Sequence, residues 1–260
     1  MIGRLGAVAA VVAAAWVGEP AAYRGAQLRC AAFSETIRTF VRGASGTATV
    51  QTRAGRQGVV VVAARDSTAG TIVDVWYDSL VVWRESGGER EQPELDGFLG
   101  GRYRGLLAPD GGYTSIRDPF VPAEVAEVAD LATAMDDFFP RLPPVELARG
   151  KTWSDSGRTV RRLADRRDPS GSLARYDWTL SARRGERYPA ADTLAVVLDQ
   201  VIEERGELLW SDRFGPQSWT RRIVVTARIP ATGGVRRSIR SVVEQEIDVV
   251  RRYDLDPNCR

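Results

Sequence analysis

The chain has 260 residues and sets 36 Lys and Arg against 34 Asp and Glu, a formal net charge of +2 with the two signs interleaved along its length. That balance keeps a protein soluble and lacks the clustered basic footprint of a nucleic-acid binder, so no nucleic-acid partner is expected. Histidine is absent, which removes Ser-His-Asp and Cys-His catalysis, histidine general bases and the commonest zinc and haem ligand sets.

The chain opens as an export signal. Arg4 supplies a positive start, Leu5 to Val17 is an unbroken run of apolar and small residues, and Glu19-Pro20-Ala21-Ala22 is a polar stretch ending in alanine. The run has 13 residues, whereas a membrane-spanning helix needs about 20, so residues 1–22 read as a signal peptide and no stable span is expected after cleavage. Residues 23–260 then form a single β-rich domain, a size that sandwiches and barrels often reach. The expected location is secreted or periplasmic, in a bacterial cell envelope. There, Cys30 and Cys259, one near each end of the mature chain, are expected to pair as a disulfide.

Most of the mature chain alternates apolar and polar residues with period two, the mark of strands buried on one face. Strands are predicted near Glu35–Val41, Thr47–Thr52, Val59–Ala64, Thr71–Tyr77, Leu80–Arg84, Arg102–Leu107, Tyr113–Arg117 and Thr159–Leu163. Ala54-Gly55, Asp78, Ser86-Gly87-Gly88, Pro109-Asp110-Gly111-Gly112 and Asp168-Pro169-Ser170-Gly171 read as turns between them. Between these strands, Val121, Val125, Val128, Ala132, Met135 and Phe139 fall on one stripe of a helix, with Pro122 in its first turn and Pro140 at its end. The clearest strand is Leu173–Ala182, with Ala174, Tyr176, Trp178, Leu180 and Ala182 on one side and Arg175, Asp177, Thr179 and Ser181 on the other.

Residues 193–202 and 239–250 fit either helix or strand, and their β-branched content favours strand. Ser218–Ile229, a turn at Ala231-Thr232-Gly233-Gly234 and Val235–Val250 then make a long hairpin. The expected fold is α+β and mainly antiparallel β: a large curved sheet or open half-barrel of about a dozen strands, with one main amphipathic helix packed on it. So many strands should curl or close to protect their edges.

The sequence carries little catalytic chemistry. Gly97-Phe98-Leu99-Gly100-Gly101 lacks the lysine and spacing of a phosphate loop, and no metal or cofactor motif stands out. Asp136-Asp137 and Glu203-Glu204 read as solvated charges. So do the pairs Arg161-Arg162, Arg166-Arg167, Arg236-Arg237 and Arg251-Arg252; Lys151 is the only lysine, a bias of GC-rich coding more than of anion binding. Two carboxylates could serve a glycosidase, and Asp74, Asp78 and Asp177 stand near aromatic residues. Charges within the strands argue against an outer-membrane barrel, whose lipid face is an apolar band.

The long alternating strands, the amphipathic stretch, and Phe138-Phe139-Pro140-Arg141-Leu142-Pro143-Pro144 followed by Gly150-Lys151-Thr152-Trp153 resemble the bacterial lipoprotein-carrier (LolA-like) superfamily and related secreted envelope proteins. The resemblance implies an apolar cavity for acyl chains on the concave side of the sheet. Trp76, Trp83, Tyr176, Trp178, Leu180, Trp210 and Trp219 are the candidate lining, provided that they face inward. The reading is a non-enzymatic binding protein for an apolar or lipid-like ligand or an envelope protein. The alternatives are a carboxylate-dependent hydrolase of envelope polysaccharide and an interaction module without a pocket.

Overall fold

The computed structural model describes residues 21–253 except 29, 46–47, 69, 170, 190–194 and 230–237. Residues 1–20 of the export segment, the turn at Ala231-Thr232-Gly233-Gly234, the pair Arg236-Arg237 and Cys259 lie outside the described residues. The elements are α1 (Gly25–Leu28), β1 (Ala31–Ser45), β2 (Ala48–Ser67), β3 (Gly70–Ser86), β4 (Glu89–Glu91), β5 (Arg102–Leu107), β6 (Tyr113–Arg117), α2 (Ala123–Val128), β7 (Thr152–Asp155), β8 (Arg158–Arg162), β9 (Arg166–Asp168), β10 (Gly171–Pro189), β11 (Ala195–Ser211), β12 (Gly215–Ile229) and β13 (Ile239–Arg252). Of the two ambiguous segments, residues 195–202 and 239–250 are strand.

The strands join in one 13-stranded open sheet, ordered β6-β5-β3-β2-β1-β13-β12-β11-β10-β8-β7, with β4 beside β3 and β9 beside β10. All pairings are antiparallel. The chain thus builds two meandering arms, which meet at a seam where β1 pairs with β13 from Ser34↔Arg252 to Ser45↔Ser241. The fold is mainly β with little helix, which corrects the α+β expectation. None of the described helices is long and apolar enough to cross a membrane.

Alternation sorts side chains onto two faces. On β10, Tyr176 and Trp178 are buried and Leu180 and Ala182 half-buried on one side, while on the other Arg175 binds Glu207 at 2.7 Å and Arg161 binds Asp177. The first side, here the inner face, carries Phe33, Val60, Val62, Val73, Val75, Tyr103, Leu208, Trp219 and Val249, all in one buried cluster.

Two expected turns are absent because the strands run straight through them. Gly55 lies inside β2 beneath the Trp83 ring, where a Cβ would come within 2.7 Å of the indole; glycine here marks a close approach. Asp78 belongs to a bulge in β3, where the register against β2 shifts between Val59 and Val60 and Ser79 Oγ accepts the Val59 N–H at 3.2 Å. A bulge absorbs one extra residue without ending the pairing.

The predicted helix over Val121–Phe139 is cut to the six residues of α2. Ala129 turns extended (φ −140, ψ 131), and the Asp130 carboxylate accepts the Thr133 N–H at 3.2 Å and the Thr133 hydroxyl at 2.7 Å. This local bonding competes with helix. Short turns follow, closed by Ala134 N–H to Leu131 O, Asp136 N–H to Thr133 O and Phe138 N–H to Met135 O. Spacings of three and four survive in such turns, so Val125, Val128, Leu131, Met135, Phe138 and Phe139 are buried; Ala132 is exposed. Residues 121–142 form a cover that packs into the cluster of the inner face. Tyr103 hydroxyl donates to Leu131 O at 2.6 Å and Arg251 donates to Phe138 O at 2.9 Å, fastening it.

Candidate functional site

The cover lies over only part of the inner face. Beyond it, β1, β2 and β10 to β13 continue, and their registers set Val50, Gly43, Val243, Val225, Ile202 and Ala182 side by side in one row. Parity along each strand puts this row on the face of Phe33, Val249, Trp219, Leu208 and Tyr176. Its side chains are open to solvent in part: Val50 is 59% exposed and Val243 38%. Farther out, Ile229 pairs with Ile239, which is 50% exposed. The opposite face of the same strands carries ion pairs instead, with Glu244 between Arg42 and Arg222, and Arg222 reaching Glu246 at 3.7 Å. A groove of about 680 Å³ on that outer side holds Arg161, Asp177, Arg205, Arg222, Glu246 and Asp248, a mixture of signs.

Between the covered and the open parts of the inner face runs a rim of charge and two cavities. The first, about 280 Å³, lies between Val128, Ala134 and Phe138 of the cover and Ile37, Arg56, Trp219, Ile247 and Arg251 of the sheet. The second, about 210 Å³, shares Asp137, Trp219 and Arg221 with the first and adds Arg158, Trp178, Leu180 and Glu204.

The most buried charge in this region is the pair Glu35 and Arg251, whose side chains are 1% and 2% exposed and stand 2.7 Å apart. They are direct register partners across the β1 and β13 seam. The Arg251 guanidinium lies 4.0 to 4.7 Å from the ring centres of Phe138, Trp219 and Phe33, which adds cation–π attraction. Burial opposes its charge, but Glu35 and the neighbouring Tyr253 hold its pKa above the ordinary value. Tyr77 stands beside this pair with its pKa pushed up, chiefly by burial.

Arg221 is matched twice, by Glu204 at 3.0 Å and by Asp137. Arg56 differs. Its Nε is buried with no hydrogen-bond partner, and its nearest carboxylate, Glu35, lies 3.6 Å away, beyond hydrogen-bond reach. Arg158 Nε is also unpartnered, while its Nη2 donates to Arg141 O at 2.7 Å.

Of the seven candidate lining residues, Tyr176, Trp178, Trp210 and Trp219 lie in the main buried cluster and Leu180 is half-buried in the second cavity. Trp76 and Trp83 sit on the outer face. Trp76 packs with Ala32 and Val61 beneath Arg102, and Trp83 caps Gly55 beneath Arg90. Asp74 is held by Arg104 through two bonds of 2.6 and 3.1 Å, on the outer side. Asp177 and Trp178 point to opposite faces, so they do not form one carboxylate-and-aromatic site. Among the described residues no group of three or more acidic or cysteine side chains could hold a metal.

Arg251 corrects the expectation that the arginine pairs are solvated. It shares parity with Ile247 and Val249, and Glu35 shares it with Phe33 and Ile37, so alternation alone points both inward. Arg56, opposite Ile37, was hidden by the apparent turn at Gly55.

No protein-family model matches the chain, and no curated protein matches it. Among solved structures, one described as "lipid-protein interactions in lipovitellin" superposes with a TM-score of 0.47 and 11% identity, over 93% of this chain and 26% of that one. The chain thus spans about a quarter of that neighbour's length.

Proposed function

We propose that this is a non-enzymatic envelope protein, secreted or periplasmic behind a signal peptide at residues 1–22, that seats the apolar chain of a lipid-like ligand on the open part of its inner face. The observation that carries the reading is the row from Val50 to Ala182: it continues the core-forming face of six strands, yet no described segment covers it. Apolar side chains aligned in this way cost free energy in water, on the order of 25 cal/mol per Å² exposed, and their retention calls for an occupant. A sheet curved toward that side, as in LolA-like carriers, would wrap the chain.

In this reading the mature chain starts at Tyr23, which is buried and donates its hydroxyl to Pro140 O at 3.1 Å. The Cys30–Cys259 bridge belongs to the same reading. Ser34 pairs with Arg252, and the Phe33 ring packs at a tilt against Tyr253 with ring centres 4.8 Å apart, so the start of β1 and the end of β13 lie side by side.

The test is binding of a fluorescent acyl-chain probe to the purified chain, with Val225→Ser plus Ile202→Ser as the variant. Binding should fall at least about tenfold while the urea midpoint stays nearly unchanged, because the substituted groups are only half-buried. Equal binding by the variant and the parent, or no binding by either, overturns the proposal.

A further inference from the structure

We infer that the ligand is an anionic amphiphile whose oxyanion is received by Arg56 in the cavity at the rim of the cover; this rests on the proposed seating of an apolar chain beyond that rim. The inference starts from donors that the fold leaves unused. A guanidinium has five N–H groups, yet Arg56 Nε is buried without a hydrogen bond, and the side chain is only 14% exposed. Its one close carboxylate is already committed: Glu35 accepts from Arg251 Nε at 2.8 Å and stands in register with it. Glu35 thus serves two guanidinium groups but hydrogen-bonds only Arg251, and Arg56 Nε is left without an acceptor. A half-buried cation with an unmet donor is costly to maintain, and a bound oxyanion would supply an acceptor.

The cavity's position suits such a ligand. Arg56 lies on its floor among Ile37, Ile247 and Phe138, and the open row of the inner face begins beyond it on the same strands. An acyl chain that crosses that row and runs along the strands toward the cover would bring its terminal group to the cavity. Asp130 and Asp137 also line the cavity, but Asp130 is bonded to Thr133 and Asp137 to Arg221. Asp137 attracts Arg56 through space, but neither carboxylate gives its Nε a hydrogen bond. Carboxylate and phosphate share the chemistry that a planar guanidinium recognises in bidentate fashion.

Three probes of equal chain length separate the ideas: dodecanoate, dodecyl phosphate and dodecanol, each titrated against the intact chain. One or both anions should bind about tenfold to a hundredfold tighter than the alcohol, the range expected for a hydrogen bond to a charged group. The better anion identifies a fatty-acid or a phosphate head. Arg56→Gln should remove this preference, Arg56→Lys should keep part of it, and Arg42→Gln, the same charge change on the outer face, should leave it intact. Equal binding of all three probes, or a preference that survives in a folded Arg56→Gln, overturns the inference while the apolar seat stands. If none of the probes binds, the apolar seat fails with it. The comparison of the three probes on the parent chain decides the matter even if a variant does not fold.

Discussion

The covered and open parts of the inner face are built from the same strands with the same alternation, and they differ in what lies over them. Under the cover, Val60, Val73, Val75 and Tyr103 lose essentially all contact with water. A few residues along, Val50, Val243 and Ile239 remain in it. Period-two patterning therefore marks which way a strand faces, while a second layer decides whether that face becomes core or a place to bind. In this chain the second layer is residues 121–142, which are too few to reach the ends of strands of 14 to 20 residues.

The contrast can be broken by substitution. Phe138→Ala in the cover should cost about 3–5 kcal/mol in urea unfolding, the usual range for emptying a packed aromatic site. If the open part is a binding surface and not core, Val225→Ser should change stability by less than about 0.5 kcal/mol; similar losses at both positions would mean that both parts are core. The difference can be sharpened by alkaline titration. Tyr23, Tyr77, Tyr103, Tyr113 and Tyr176 have pKa values raised, and Tyr253 is pushed up to about 12, in each case chiefly by burial. An unfolded chain ionises tyrosine near pH 10 (about 10), so above that pH the unfolded state releases protons that the folded state keeps. Stability present below pH ~10 should then fall as pH rises through the folded values. Tyrosinate absorbance should appear together with unfolding. Phe138→Ala should move both to lower pH, and Val225→Ser should move neither. The smallest effect belongs to the outer face, where Arg175→Ala should cost no more than about 1 kcal/mol, since its pair with Glu207 is solvent-exposed.

Much of this could be read before any coordinates. The alternation of Leu173–Ala182 points Tyr176 and Trp178 inward, and the β-branched residues of 239–250 make them strand. Where the reading failed, local signals had two physical meanings. Glycine at 55 looked like a turn but serves as room for the Trp83 indole. Asp78 looked like a turn residue but sits in a bulge. Spacings of three and four over 121–139 described buried turns as well as they described a helix, because both bring every third or fourth side chain to one side. The rim arginines were invisible for another reason: composition made arginine common everywhere, and only strand parity separates Arg251 from its solvated neighbour Arg252.

The seam between the two arms has a consequence for how the molecule is completed. Strand β1 is among the first made and β13 the last, so the N-terminal arm must wait with a bare edge until almost the whole polypeptide is available, and contacts so remote in sequence form slowly. When the final strand docks, a slip of one residue would turn Arg251 outward and strand Glu35 in a greasy interior without its counter-charge. The clasp thus acts as a latch that closes only in the correct alignment.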